Sequence, residues 1–254
     1  MATQTFTLTF GDQAENHAGM QKLGTMAAEG FSRDDLERGR LWFLERGAEP
    51  VLYDLRSLLP LGVHGAEAYL LVVPGGVSKI VSADELYREQ EGLEKDTKAF
   101  MYGRVVEKRA RHNLCFGEAA QEPNYEQGMG RVVAFDQVPL LNRLRQTLSE
   151  VIGEKGRGLM AEGNYYYDLQ NCYIGYHGDS ERKKVIAVRL GAPFLFHYQW
   201  FSWSKPVGAH GQIPLNHGDL YIMSEKAVGT DWKTKKVPTL RHAAGDPKHL
   251  KVKQ

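Results

Sequence analysis

Three short apolar segments follow one another in the C-terminal half, "KKVIAVRLG", "PFLFHYQWF" and "GDLYIMS", with Gly, Pro, Asn or Asp between them. Segments of this length, rich in β-branched and aromatic residues and separated by turn residues, read as strands of one β-rich unit. Helical signals lie earlier. Ser32 with Asp35 forms a capping box ahead of "RDDLERGRLWFLER", which Gly47 and Pro50 close. Ser82 with Glu85 does the same for "ADELYREQ". Leu141, Leu144, Leu148 and Val151 recur at helical spacing, with Gly153 as the stop. "TFTLTF" alternates Phe6, Leu8 and Phe10 with threonines and predicts a strand with one buried face; "PVLYDL" and "AYLLVV" read as further strands. Helices first and short strands afterwards predict an α+β fold with a sandwich or barrel in the C-terminal half. The polar stretch "REQEGLEKDTK" suggests a boundary near residue 95. It would divide an N-terminal α/β subdomain of unassigned role, residues 1–95, from a core over 96–254.

The 254 residues are 42% hydrophobic and 25% charged, an ordinary globular composition. No stretch approaches the roughly 18 consecutive apolar residues of a membrane helix. "MATQTFTLTFGD" lacks the features of a signal peptide. Two cysteines, Cys115 and Cys172, leave no disulfide framework and point to a reducing compartment. The expectation is an intracellular protein, cytoplasmic or nuclear, with no membrane partner. A net charge of +1 makes no global case for nucleic acid. Basic groups do cluster locally, in "RVVEKRARH" and after Asp231, although such runs are commonly solvated faces.

In "GYHGDSE" an imidazole and a carboxylate, His177 and Asp179, stand two positions apart beside a strand. Residues i and i+2 of an extended chain share a face. An open iron site that activates oxygen requires two imidazoles and one carboxylate on one side of the metal. The missing imidazole should come from a later strand. His197 lies inside an aromatic strand and reads as core; His210 and His217 flank a turn; His242, in "TLRHAAG", has the right order, with His249 as a fallback.

The order "GNYYYDLQNCYIGYHGDSE", "VIAVRLGAPFLF", "LNHGDLYIMS", "TLRHAAG" resembles the AlkB-type family of Fe(II)- and 2-oxoglutarate-dependent dioxygenases over about residues 98 to 245. The resemblance implies a double-stranded β-helix (jelly-roll) oxygenase core, with N-terminal helices and the added subdomain before it. It implies Fe(II), 2-oxoglutarate and O2 as cofactor and cosubstrates. His177, Asp179 and His242 would be the metal ligands, and Asn164 and Tyr166 the pair that hydrogen-bonds 2-oxoglutarate. The family's usual Arg after the distal His has no counterpart here, since only twelve residues follow His242 and none is Arg. A carboxylate in a poorly solvated pocket still needs a cation. Lys251 and Lys253 on the expected last strand are candidates, and Arg189 is preferred. Ile186, Val188 and Leu190 make one apolar face of its strand, so Arg189 shares the other with the small Ala187 and has room to reach a ligand.

The resemblance also implies a nucleic-acid base, in DNA or RNA, as the substrate for hydroxylation or demethylation. Such enzymes stack an extruded base on aromatic side chains and grip the backbone with cations. Tyr102, Arg109, Arg111, His112 and Phe116 occupy the segment where the family keeps its substrate lid. Two alternatives stay open: an oxygenase acting on a protein or small molecule, and a jelly-roll binding module without catalysis.

Overall fold

All seven residues of strand β1 (Thr5–Gly11) are buried, although its alternation of threonine and large apolar residues predicts only one covered face. The reason lies in its neighbours. In the computed structural model, which describes residues 3–250, β1 runs antiparallel between β10 (Met160–Tyr166) and β12 (Val185–Gly191). It therefore lies in the interior of an eight-stranded sheet. Beyond β12 follow β15 (Leu220–Met223), β5 (Tyr69–Val73) and β4 (Val51–Asp54). Beyond β10 come β8 (His112–Gly117) and β9 (Val132–Ala134), the last two parallel and the other pairs antiparallel.

Strand periodicity divides this sheet into two faces. Phe6, Leu8, Phe10, Leu71, Val73, Ile186, Val188, Leu190, Leu220 and Ile222 turn to one side. There they meet Leu36 and Phe43 of α1 (Arg33–Leu44), Leu86 of α2 (Ala83–Glu91) and Leu141, Leu144 and Leu148 of α3 (Pro139–Ile152). Helices α1 and α2 form where their caps predict. Ser32 and Asp35 complete the reciprocal capping box, and the Ser82 hydroxyl accepts from the Glu85 amide.

The opposite face, with Leu70, Val72, Val185, Ala187, Tyr221 and Met223, packs on a second, four-stranded sheet. Its order is β11 (Ile174–His177), β16 (Thr239–Ala244), β13 (Phe194–Ser202) and β14 (Lys205–Leu215), all antiparallel. Phe196, Tyr198, Trp200 and Leu240 fill the space between the sheets. The buried Trp200 indole donates to the Leu55 carbonyl at 2.8 Å. Two hairpins, β2 (Gln13–Glu15) with β3 (Lys22–Gly24) and β6 (Lys98–Met101) with β7 (Arg104–Glu107), and a short helix α4 (Glu225–Val228) complete the elements. The fold is α+β: helices on one face of a large sheet and a smaller sheet on the other. No helix among the described residues is long and apolar enough to cross a membrane.

The expected division at residue 95 is corrected. Three strands of the large sheet, β1, β4 and β5, come from before it, and β1 pairs on both edges with strands from after residue 159. A polar connection marks a surface loop as readily as a boundary, and long-range pairing overrides it.

Candidate metal centre

β11 and β16 lie side by side, and their register places His177 directly opposite His242. The imidazole rings are 4.4 Å apart between centroids. Asp179 lies two residues beyond the end of β11, and its amide donates to the Val228 carbonyl at 3.1 Å. Gly178 between His177 and Asp179 is dictated by this packing. A Cβ there would collide with the Gly229 carbonyl oxygen, so only glycine lets the chain pass. Asp179 Oδ1 stands 3.4 Å from both His177 Nε2 and His242 Nε2, and one ligand atom from each residue falls within 4.8 Å of the others. Donors about 2.1 Å from a shared ion and at right angles lie roughly 3 Å apart, so the cluster needs only small adjustments to hold one.

Ligation of a metal requires neutral imidazoles and an ionised carboxylate, and the surroundings of each group are compatible with that. His177 Nδ1 lies 2.8 Å from the Gly175 carbonyl, an acceptor, which places the proton on Nδ1 and leaves Nε2 facing the cluster. Burial and the neighbouring His177 lower the His242 proton affinity, against the opposing pull of Asp179. The Ala227 carbonyl acts in Asp179's direction, but its approach to His242 Nδ1 falls short of a formed hydrogen bond. Burial alone would push the Asp179 carboxyl up. The Arg182 guanidinium and the two imidazoles overcome this and hold it well below the usual carboxylate range.

Arg182 itself is 2% exposed. Its Nη2 donates to Glu162 Oε2 at 2.6 Å and Glu181 Oε1 at 2.8 Å, while Nε stands 3.6 Å from Asp179 Oδ2. Burial disfavours its charge, and the three carboxylates more than compensate.

The cluster opens into a cavity of about 590 Å³ between the two sheets. Asn164 and Tyr166 of β10 and Arg189 of β12 line it. Asn164 Oδ1 accepts from Arg111 Nε at 2.6 Å and Asn113 Nδ2 at 2.8 Å. Arg189 is fully buried, makes no ion pair among the described residues, and has no partner for Nε or Nη1. Burial lowers its proton affinity, with Tyr221, Tyr166 and Asp219 opposing. The strand-parity expectation holds: Ile186, Val188 and Leu190 face the helices, and Arg189 faces the cavity with Ala187 on its own side. Lys251, like Lys253, lies outside the described residues.

The other histidines weighed from the sequence are employed elsewhere. His197 is buried between His210 and the Gly245 carbonyl, His217 accepts from the Gly191 amide, and His249 stacks on Tyr173.

The proposed lid residues separate. Arg111 alone lines the cavity. Phe116 is fully buried in the core beneath the helices and is unavailable for stacking, because β8 is an interior strand flanked by β9 and β10. Tyr102 is 90% exposed at the tip of the β6–β7 hairpin. Arg109 is exposed, its carbonyl accepting from the Tyr167 hydroxyl. His112 stacks on Tyr167 at 4.3 Å. None of these four lines the cavity.

Sequence reasoning missed Thr7, Glu162, Arg182, Tyr221 and Trp232, all of which line the cavity. The signal for Arg182 was in reach, three residues beyond Asp179 in "HGDSER". For Thr7 the signal pointed the wrong way, since threonines alternating with phenylalanines read as a solvent face.

No protein-family model matches the chain. It is 51% identical over 250 residues, 98% of each chain, to "Uncharacterized protein R156" of Acanthamoeba polyphaga mimivirus. Identity at that level along both chains makes them one family, and this chain belongs to it.

Proposed function

We propose that the protein is an Fe(II)- and 2-oxoglutarate-dependent oxygenase of the AlkB-like type. The observation that carries this reading is that one cavity holds both a two-histidine, one-carboxylate cluster and a buried cation, Arg189, which has no ion-pair partner and no hydrogen-bond partner for Nε or Nη1 among the described residues. The donor set suits a ferrous ion with vacant positions, and an unpaired buried guanidinium is costly unless an anion joins it. The strand path supports a double-stranded β-helix. From β10 to β16 the chain passes between the two facing sheets: large, small, large, small twice, large, small. A strand after β16 would return to the large sheet, and here β1 fills the place between β10 and β12. That substitution gives a reason for the anchor to sit on β12 rather than after the distal histidine.

With iron, 2-oxoglutarate and O2 bound, the chemistry supplied is oxidation of a substrate C–H bond to C–OH, coupled to conversion of 2-oxoglutarate to succinate and CO2. The chain's own work is positioning. Gly175 and Arg182 fix the tautomer of His177 and the charge of Asp179. Arg189 binds the distal carboxylate of the keto acid, Asn164 and Tyr166 stand beside it, and Phe196 and Met223 of the lining keep the floor apolar.

For the substrate, a nucleic-acid base draws support from the mouth of the cavity, where Lys22, Arg111 and Lys233 stand with the indole of Trp232. Binding that weakens steeply with salt supports that substrate, because phosphate contacts release counterions.

The test of the oxygenase reading is succinate formation from 2-oxoglutarate in air with Fe(II). The wild type should produce it, and Asp179→Ala should lower Mn(II) affinity at least ~100-fold and abolish turnover. Turnover retained by Asp179→Ala would exclude this cluster as the metal centre.

A further inference from the structure

Thr7 faces the same cavity as Arg189, is 6% exposed, and its hydroxyl has no hydrogen-bond partner among the described residues. Its position is fixed from both sides: β1 sets Thr7 opposite Arg189 on β12 and opposite Asn164 on β10, and Asn164 in turn faces Asn113 on β8. Four polar side chains, Asn113, Asn164, Thr7 and Arg189, thus form one row across the large sheet. The asparagines satisfy each other and Arg111. Thr7 and Arg189, on adjacent strands about 4.8 Å apart, are the two without partners. Neighbouring strands such as these use cross-strand hydrogen bonds when the groups suit each other. The Thr7 oxygen could accept from the guanidinium, yet no bond joins them here, and the Thr7 hydroxyl hydrogen and the Arg189 Nε and Nη1 hydrogens are left as donors without an acceptor.

We infer that Thr7 is a positioning residue of the cosubstrate pocket, its hydroxyl donating to the carboxylate that Arg189 binds. This rests on the oxygenase reading and deepens it. The anion is a dicarboxylate whose far end must reach the large sheet while its keto-acid end meets the cluster on the small sheet. Facing sheets stand about 10 Å apart, which favours a five-carbon acid over shorter ones. The N-terminal strand is therefore part of the binding site, in a segment where the sequence offers no site signal.

The experiment is calorimetric titration of 2-oxoglutarate into the full-length, Mn(II)-loaded protein: wild type, Thr7→Val, Thr7→Ser and Arg189→Met. Thr7→Val keeps the shape and removes the donor, and should weaken binding about tenfold, the loss of one hydrogen bond to a charged group. Thr7→Ser should stay within about twofold of wild type. In turnover the defect should appear in KM for 2-oxoglutarate rather than in kcat, with Mn(II) affinity unchanged. Should Thr7→Val bind as wild type does while Arg189→Met fails, or should Thr7→Ser not rescue, the role of Thr7 is overturned and the oxygenase reading stands. Absence of binding by the wild type overturns both.

Discussion

Lys108 shows how far a single residue departs from its sequence reading. In "RVVEKRARH" it is one of a local cluster of cations, a run that reads as a solvated face. In the fold its Nζ turns inward, donating to Asn16 Oδ1 at 2.6 Å and Asn113 Oδ1 at 2.9 Å. Those bonds tie the β2–β3 hairpin, whose connecting loop borders the cavity, to β8. Burial pushes the Lys108 amine down to about 7, with the buried Asp96 opposing. The unfolded chain holds that proton to about pH 10.4. Between the two values the unfolded state binds more protons, so stability rises with pH across that window. Urea unfolding of wild type and Lys108→Met should therefore diverge, the wild type gaining on the order of 3 kcal/mol relative to the variant between pH 7 and 10. Parallel curves would mean that Lys108 keeps its charge in the fold. At this scale the sequence revealed chemistry where spacing dictates it. The closeness of His177, Asp179 and His242 was readable because residues two apart in an extended chain share a face and a second imidazole was expected from a later strand, and Arg189 because its strand alternates. Thr7, Lys108 and Phe116 were not, because their roles depend on which strand lies next to them.

Elements were legible wherever the signal is local. Capping residues located α1 and α2, and leucine spacing located α3. Pairing between distant strands is not written in any window of the sequence. β1 reads as a peripheral strand of an N-terminal subdomain, yet it sits between β10 and β12, with seven paired positions on one side and six on the other. Removing it would expose unpaired backbone along both flanking strands and uncover the apolar row opposite Phe6, Leu8 and Phe10. The segment 96–254 expressed alone should therefore fail to fold cooperatively. A broad or absent thermal transition, with exchange-labile amides in β10 and β12, is the expected result. A sharp transition near that of the intact chain would restore the boundary at residue 95 and remove β1 from any necessary part of the site.

At the scale of the whole molecule, the proposed function assigns the two sheets around the cavity different halves of one binding event. The cluster lies on and beside the small sheet, on β11 and β16, while Arg189 belongs to the large sheet, on β12. A ligand that engages both ends links the layers in the folded state only, and linkage converts that affinity into stability. Mn(II) alone should raise the melting temperature by occupying the cluster. 2-Oxoglutarate alone should do little, since one end of it would meet only a guanidinium and a hydroxyl. Together, at about 100 times the dissociation constant of the keto acid, the second ligand adds about 2.7 kcal/mol. For a domain of this size that corresponds to roughly 5–10 °C beyond the shift from metal alone. The synergy should vanish in Arg189→Met, which retains the cluster, and in Asp179→Ala, which retains the cation. If 2-oxoglutarate stabilises the protein equally with and without Mn(II), the acid binds away from the cluster and the two halves of the cavity serve separate ligands.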